Sequence, residues 1–176
     1  ISHFHADHEG ALRDFPNATF HYLAEGWEAV RGKRGLAAVR RAFLPGLLPP
    51  DFEARGNPIT PPQQHLLPPE LAPFTHGVDL FGDETIWAVP LPGHAVGQMG
   101  LVVRAETGLY FLVADAAWQS IAFQAYKLPS RLAYLLFSHP RLYDRTLKQI
   151  HEVWLQKRGI HIIPSHCETA VAQHSA

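Results

Sequence analysis

The sequence has 176 residues, of which 47% are hydrophobic and 18% are charged, a composition that supplies a core and excludes a disordered chain. Its 15 basic and 16 acidic residues nearly cancel, so binding to nucleic acid or to an anionic membrane surface is not predicted. The single cysteine, Cys167, excludes an internal disulfide and favours a cytoplasmic protein. The sequence contains no apolar run of about 18 residues, so it also predicts no membrane span.

The first quarter of the sequence carries short strand and helix patterns. It opens on Ile1 and Ser2, which have the character of a strand end, and no initiator methionine precedes them. We therefore expect a fragment or processed form whose strand begins upstream. The elements predicted next are a helix over residues 7–15, a strand over 18–23, and helices over 25–31 and 36–44.

Proline is dense between residues 45 and 73, which disfavours long regular elements. One interpretation is a surface excursion within a single domain that covers residues 1–176. The alternative is a lid or wall over an active site, because long irregular loops in compact domains are often functional.

Strand patterns dominate the rest of the sequence and lead to one long helix. The order of strands, helix and strand predicts a layered α+β domain. The predicted strands cover residues 78–81, 85–91, 99–104, 109–114 and 160–164, and the helix covers residues 141–158.

Residues 3–8, HFHADH, place four side chains of metal-ligand type within six positions. In an extended segment, residues two apart point the same way, so His3 and His5 can converge on one cation. After a turn, Asp7 and His8 can face a second cation beside the first. A mixture of imidazole and carboxylate ligands is typical of catalytic metal sites. The alternative is a solvated polar turn in which Asp7 caps a helix.

Three further ligand-type residues each follow an apolar strand. His94 ends the sequence LPGH, Asp115 follows the strand over residues 109–114, and His166 follows the strand over residues 160–164. One such residue alone would more often be structural. Together with the opening cluster, the three predict a metal centre.

The sequence resembles the metallo-β-lactamase superfamily in HFHADH at 3–8, LPGHAVGQMGLVV at 91–103, FLVADAAW at 111–118 and IIPSHC at 162–167. The resemblance implies a four-layer αββα sandwich in which the N-terminal part of the first sheet is missing from this chain. It also implies that His3, His5 and His94 hold one metal ion, that Asp7, His8 and His166 hold the other, and that Asp115 bridges the two.

A pair of divalent ions, zinc above all with iron or manganese as alternatives, lowers the pKa of a shared water. We expect a metal-bridging hydroxide to attack an ester or lactone carbonyl of a small-molecule substrate, with Asp7 as a catalytic residue that orients the hydroxide or moves a proton. A glyoxalase-II-like thioesterase, a phosphodiesterase and a non-catalytic metal-binding member stay open as alternatives. The resemblance is also compatible with a homodimer.

Within the superfamily the sequence is most similar to acyl-homoserine lactonases, which often carry a tyrosine where Trp118 stands. Trp118 is accordingly expected to bind substrate through its indole N–H. Glu9 is expected to be an acid at a helix start. Trp27 and Phe43 are predicted core residues, with contact to an acyl chain as the alternative.

Two interpretations stay open for each of two further features. The pair Arg40 and Arg41 is expected on a solvated helix face, with binding of a substrate carboxylate as the alternative. Cys167 is either an inert buried thiol or a residue that supports the metal site.

Overall fold

A computed structural model describes residues 1–60 and 65–173, so residues 61–64 of the proline-rich stretch lie outside the described part. The strands are β1 (Phe20–Leu23), β2 (Gly56–Ile59), β3 (His65–Leu66), β4 (His76–Asp79), β5 (Ile86–Pro90), β6 (Met99–Ala105), β7 (Gly108–Ala114) and β8 (Ile160–Pro164). The helices are α1 (Ala24–Val30), α2 (Gly35–Val39), α3 (Phe52–Arg55), α4 (Ser120–Gln124), α5 (Pro140–Leu155) and α6 (Glu168–Gln173). None of the helices within residues 1–60 and 65–173 has the length and apolar character needed to cross a bilayer.

The larger sheet has six strands in the order β3-β4-β5-β6-β7-β8. Adjacent strands from β3 to β7 pair antiparallel, and β8 pairs with β7 in parallel. A parallel pair requires a long crossover, and the connection from β7 to β8 contains α4 and α5. The loops after β7 and β8 therefore leave the sheet at the same edge.

The smaller sheet consists of β1 and β2, which pair in parallel. Leu23 and Ile59 of this sheet pack against Val78, Ala88 and Met99 of the larger sheet, and all five side chains are buried. The two sheets therefore face each other across an apolar layer.

Helices cover both outer faces of the pair of sheets. One face of α5 lies in the largest apolar cluster, together with side chains from β5, β6 and β7. The helical residues of that cluster are Tyr143, Leu147, Ile150 and Val153. On the opposite side, α1, α2 and α3 pack on β1 around Phe52. This order of layers confirms the predicted αββα sandwich, with a two-stranded first sheet in the described part.

Aromatic rings fill the space between the smaller sheet and its helices. The Phe52 ring lies 5.5 Å from Phe20, 5.4 Å from Tyr22 and 4.9 Å from Trp27, measured between centroids. Phe43 is almost completely buried in the same cluster. The prediction that Phe43 is a core residue is confirmed, and Trp27 is partly buried against the same cluster.

Every strand predicted after residue 73 is present, and β8 has the predicted bounds. The long helix begins at Pro140, a residue favoured at the first helical position, and ends three residues before the predicted end at 158. Lys157 follows with a φ of 49°, a left-handed conformation that ends the helix. The short helices α4 and α6 were not predicted.

Three local predictions are wrong. Residues 7–15 form two 3₁₀ turns, Ala6–His8 and Leu12–Asp14, because Gly10 interrupts the helix and Pro16 ends the segment. The helix predicted over residues 36–44 ends at Val39, since Ala42 adopts a φ of 51°. Residues 1 and 2 are not in a strand, although the Met99 N–H donates to the Ser2 carbonyl at 2.9 Å.

Candidate metal centre

The structure brings all seven predicted ligand residues into one cluster. His3, His5 and His94 form a first group whose ligand atoms lie within 4.8 Å of one another. The His94 Nε2 is 3.0 Å from the His5 Nδ1, and the His3 ring centroid is 4.5 Å from that of His5. Three imidazoles that converge in this way can hold one metal ion.

Asp7, His8 and His166 form a second group within the same limit of 4.8 Å. The Asp7 Oδ2 lies 3.7 Å from the His8 Nε2 and 3.5 Å from the His166 Nε2. This group is more exposed than the first, because His166 and Asp7 both reach solvent. Two imidazoles and a carboxylate can hold a second ion that stays open to a small molecule.

Asp115 lies between the two groups, and each of its oxygens faces one of them. Its Oδ2 is 3.3 Å from the His94 Nε2 in the first group. Its Oδ1 is 3.1 Å from the His8 Nε2 and 3.3 Å from the His166 Nε2 in the second. The carboxylate therefore stands where a ligand shared by two ions would stand.

Each ligand segment is fixed by backbone contacts outside the cluster. The Ala6 N–H donates to the Ala42 carbonyl at 2.8 Å, which holds the turn between His5 and His8. His94 follows β5, and its carbonyl accepts the Ser138 N–H at 2.9 Å. Asp115 directly follows β7, and one residue separates His166 from the end of the adjacent strand β8.

Gly93 allows the His94 loop to approach α5. Its φ is +136°, and a Cβ at this position would lie 2.2 Å from the backbone nitrogen of Tyr143. The carbonyl of Gly93 also accepts the N–H of His139, the residue before α5, at 2.9 Å. The position of His94 therefore depends on a glycine that packs against the helix backbone.

Ser2 is a residue of the site that the sequence did not indicate. Its Oγ lies 3.2 Å from the His3 Nδ1 and 3.3 Å from the His8 Nδ1. The Nε2 of His3 is buried and has no hydrogen-bond partner among the described residues. Histidines that bind metal have this arrangement: one ring nitrogen has a hydrogen-bond partner, and the other is free to bind the ion.

Burial and charge set the protonation states of the cluster. Burial, together with the neighbouring histidines, holds the pKa of His3 well below its usual value, and burial lowers the pKa of His94 to about 4. Burial raises the pKa of Asp115, but His8 and the other histidines outweigh it, so the pKa falls. For His8 burial lowers the pKa, and Asp115 more than offsets it. The neutral imidazoles of His3 and His94 beside the ionised Asp115 form a donor set that fits a divalent metal ion.

Trp118 contacts Asp115 through its indole N–H. The Trp118 Nε1 donates to the Asp115 Oδ2 at 3.1 Å, and its ring lies 6.0 Å from the His94 ring. The N–H that was expected to reach substrate is therefore directed at Asp115. The side chain nevertheless lines the cavity above the cluster.

The cluster opens into a cavity of about 970 Å³. Five of its lining residues belong to the cluster, and its other walls come from α1, the end of α2, α4 and the segment before α5. The described residues of the proline-rich stretch do not line it, and the surface excursion and the lid both stay predictions. Cys167 does not line it either, and its Sγ lies 3.2 Å from the Ser120 Oγ.

Glu9 differs from its prediction. It has no exposed surface, and neither carboxylate oxygen has a hydrogen-bond partner among the described residues. Burial, with a smaller effect from Asp7, raises the pKa of Glu9 to about 8. The interpretation as an acid at a helix start is wrong, because the helix is absent and the side chain points into the protein.

The chain is similar in sequence to proteins named N-acyl homoserine lactonase AttM. It is 30% identical to the one from Azorhizobium caulinodans and 31% identical to the one from Rhizobium johnstonii, in each case over 139 residues. Each match covers 75% of this chain and 45% of the relative, so the chain spans less than half the length of these relatives. No protein-family model matches the chain.

Two solved structures have a similar fold. A variant of AiiA from B. thuringiensis with N-decanoyl-L-homoserine bound at the active site gives a TM-score of 0.60 at 21% identity. An N-acyl homoserine lactone hydrolase with its product bound at the catalytic metal centre gives 0.59 at 21% identity. Each match covers 99% of this chain and 56% of the other. The layers and these neighbours define a protein of the metallo-β-lactamase fold.

Within that fold the sequence matches point to one group. The relatives that match carry one name, N-acyl homoserine lactonase AttM, and this chain is similar to less than half the length of each.

Proposed function

We propose that this protein is a metal-dependent hydrolase that opens a small lactone or ester. The observation that carries the proposal is the cluster of seven ligand-type side chains, placed where a cavity of about 970 Å³ begins. A cavity of this size is suitable for a small-molecule substrate. The similarity to proteins named N-acyl homoserine lactonases supports a lactone among the hydrolysable esters.

The cluster divides into two metal sites. His3, His5 and His94 would hold one ion, and the other would be held by Asp7, His8 and His166. Asp115 would bind both, since its two oxygens face different groups. Two such cations supply Lewis acidity and hydroxide at neutral pH. Zinc is the expected metal, and the same donors accept iron or manganese.

Asp7 is the carboxylate best placed to move a proton. Its side chain is 59% exposed and lines the cavity, whereas Asp115 is buried. Asp7 would accept a proton from the attacking water and return it to the alcohol that leaves the opened ester. Trp118 would hold Asp115 in place through its indole N–H and offer its ring to the substrate.

The test combines metal content with a panel of substrates, using the protein in its natural length. The panel contains an N-acyl homoserine lactone, a simple γ-lactone, a thioester and bis(p-nitrophenyl) phosphate. We expect about two ions per chain and turnover of a lactone, both reduced in a His94→Ala variant. A His76→Ala variant, which removes an exposed histidine outside the cluster, should behave like the wild type.

Each other result has a defined meaning. Two ions with turnover of the thioester or the phosphodiester alone would keep the metal centre and replace the substrate class. Two ions without turnover of any substrate would favour a non-catalytic metal-binding protein. Less than one ion per chain would contradict the metal centre itself. The homodimer and the cytoplasmic location stay predictions, for which sedimentation and fractionation are the measurements.

A further inference from the structure

The charged residues that line the cavity fall into two sets. Its acidic residues are Asp7 and Asp115, which both belong to the candidate metal centre. Its remaining charged residues are Arg40, Arg41 and Lys127, and all three are basic. Away from the metal centre, the described wall of the cavity therefore carries positive charge only.

These three basic side chains are not neutralised by the protein. Within residues 1–60 and 65–173, Arg40, Arg41 and Lys127 have no ion pair and no side-chain hydrogen bond. Two arginines in the same half of the protein are paired by contrast: Arg31 lies 2.9 Å from Glu53, and Arg55 lies 3.0 Å from Asp51. Three basic side chains without an ionic partner among the described residues therefore line one cavity.

The arginine pair is held next to the metal-binding turn. Arg40 caps the end of α2, and the left-handed φ of Ala42 reverses the chain immediately afterwards. The Ala42 carbonyl then accepts the N–H of Ala6, which lies between His5 and Asp7. The arginine pair and the metal centre therefore line the same cavity.

The cavity wall also contains exposed apolar side chains. Leu135 and Leu136 in the segment before α5 are 82% and 68% exposed, and Ile121 of α4 and Val39 of α2 are about half exposed. Large apolar side chains that remain open to solvent around a cavity indicate a ligand with an apolar body. The cavity thus offers an apolar wall and unpaired cations beside the reacting centre.

We propose that the substrate is an amphiphilic anion: a lactone or ester with an apolar chain and a separate carboxylate, sulfonate or phosphate group that Arg40 and Arg41 bind. Lys127, which follows α4, adds a third positive charge to the same cavity. Guanidinium groups bind such anions through two parallel hydrogen bonds, and this geometry favours arginine over a neutral donor. This inference rests on the proposed hydrolase and narrows its substrate class.

The experiment compares two substrates that differ only at the end of the acyl chain. One is N-decanoyl-homoserine lactone, and the other carries a terminal sulfonate on the same chain, a group that coordinates metal ions weakly. The zinc-loaded protein in its natural length is assayed for kcat/KM, and binding of the hydrolysed, ring-opened forms is measured by calorimetry. The variants are Arg40→Gln with Arg41→Gln, and Arg34→Gln as a matched control, since Arg34 is exposed near the start of α2 and does not line the cavity.

We expect the wild type to prefer the sulfonated lactone by about tenfold, the effect of a charge-assisted hydrogen bond. The double variant should lose this preference, and the Arg34→Gln variant should keep it. Equal turnover of both substrates, or a preference that survives in the double variant, would overturn the inference and leave the proposed hydrolase intact. If neither lactone is hydrolysed, the proposed function fails, and calorimetry still decides whether the arginine pair binds the anion.

Discussion

Replacement of Gly93 by alanine tests two roles of this glycine, its positive φ and the space that it leaves for α5. Gly93 has a φ of +136°, which an L side chain rarely adopts, and its missing Cβ leaves room for the backbone of α5. A Cβ there would lie 2.2 Å from the Tyr143 nitrogen and 2.3 Å from the Tyr143 Cα. Both neighbours are main-chain atoms of a helix, so a change of rotamer cannot relieve the contact.

The geometry gives the size of the expected effect. Ordinary contact begins at 3.4 Å, so α5 and the loop at Gly93 must separate by about 1.2 Å. The φ of an alanine at this position costs about 1–3 kcal/mol, and overpacking against a helix costs about 1–3 kcal/mol more. The total, about 2–6 kcal/mol, is a large part of the stability of a typical domain, about 5–15 kcal/mol. Because His94 is the next residue, the same displacement should weaken zinc binding.

Gly159→Ala is the matched control, because Gly159 has a φ of +74° and no atom within 4 Å of the added Cβ. Urea unfolding should show a loss of about 1 kcal/mol for this control and a loss at least twice as large for Gly93→Ala. Zinc titration should show weaker binding in the Gly93 variant alone. Equal stability of the two variants, with equal zinc affinity, would refute the argument that α5 packs against the Gly93 backbone.

Three further changes test other parts of the structure. Trp118→Phe keeps an aromatic ring but removes the N–H to Asp115, so zinc affinity measured against a chelator should fall about tenfold; an unchanged affinity would contradict a supporting role for the indole. Phe52→Ala should lower the free energy of unfolding by about 3–5 kcal/mol, while Phe15→Ala, at a residue 59% exposed, should change it by less than about 0.5 kcal/mol. Removal of metal ions by a chelator should lower the melting temperature of the wild type by several degrees and that of His94→Ala by less. A melting temperature insensitive to chelation in both proteins would mean that the cluster binds no ion in the folded state.

The sequence predicted the site best where a residue that can bind a metal ion follows an apolar segment. The strands that precede His94, Asp115 and His166 are marked by runs of apolar and β-branched residues, so the sequence alone predicts the ligand after each strand. The close spacing of His3, His5 and their neighbours supplied the other half of the centre. Chain order and local pattern were sufficient because each ligand occupies the first turn after a strand or a strand-like segment.

Features that depend on contact between distant segments could not be read in this way. The burial of Glu9 follows from how the opening turns fold back on the protein, and an acid after a histidine carries no sign of it. The contact of Ser2 with two histidines arises only when residues 3 and 8 converge. The cavity position of Arg40 and Arg41 depends on the left-handed φ of Ala42, a residue type that does not predict one.

The two halves of the candidate centre come from opposite sides of the sandwich. Residues 3–8 belong to a segment anchored to the smaller sheet and its helices, as Phe4 in the aromatic cluster shows, whereas His94, Asp115 and His166 project from the larger sheet. Two bound metal ions would therefore link one layer of the protein to the other, because their ligands extend from His3 to His166 along the chain. Metal binding would then stabilise the contact between the two layers as well as supply the chemistry of the site.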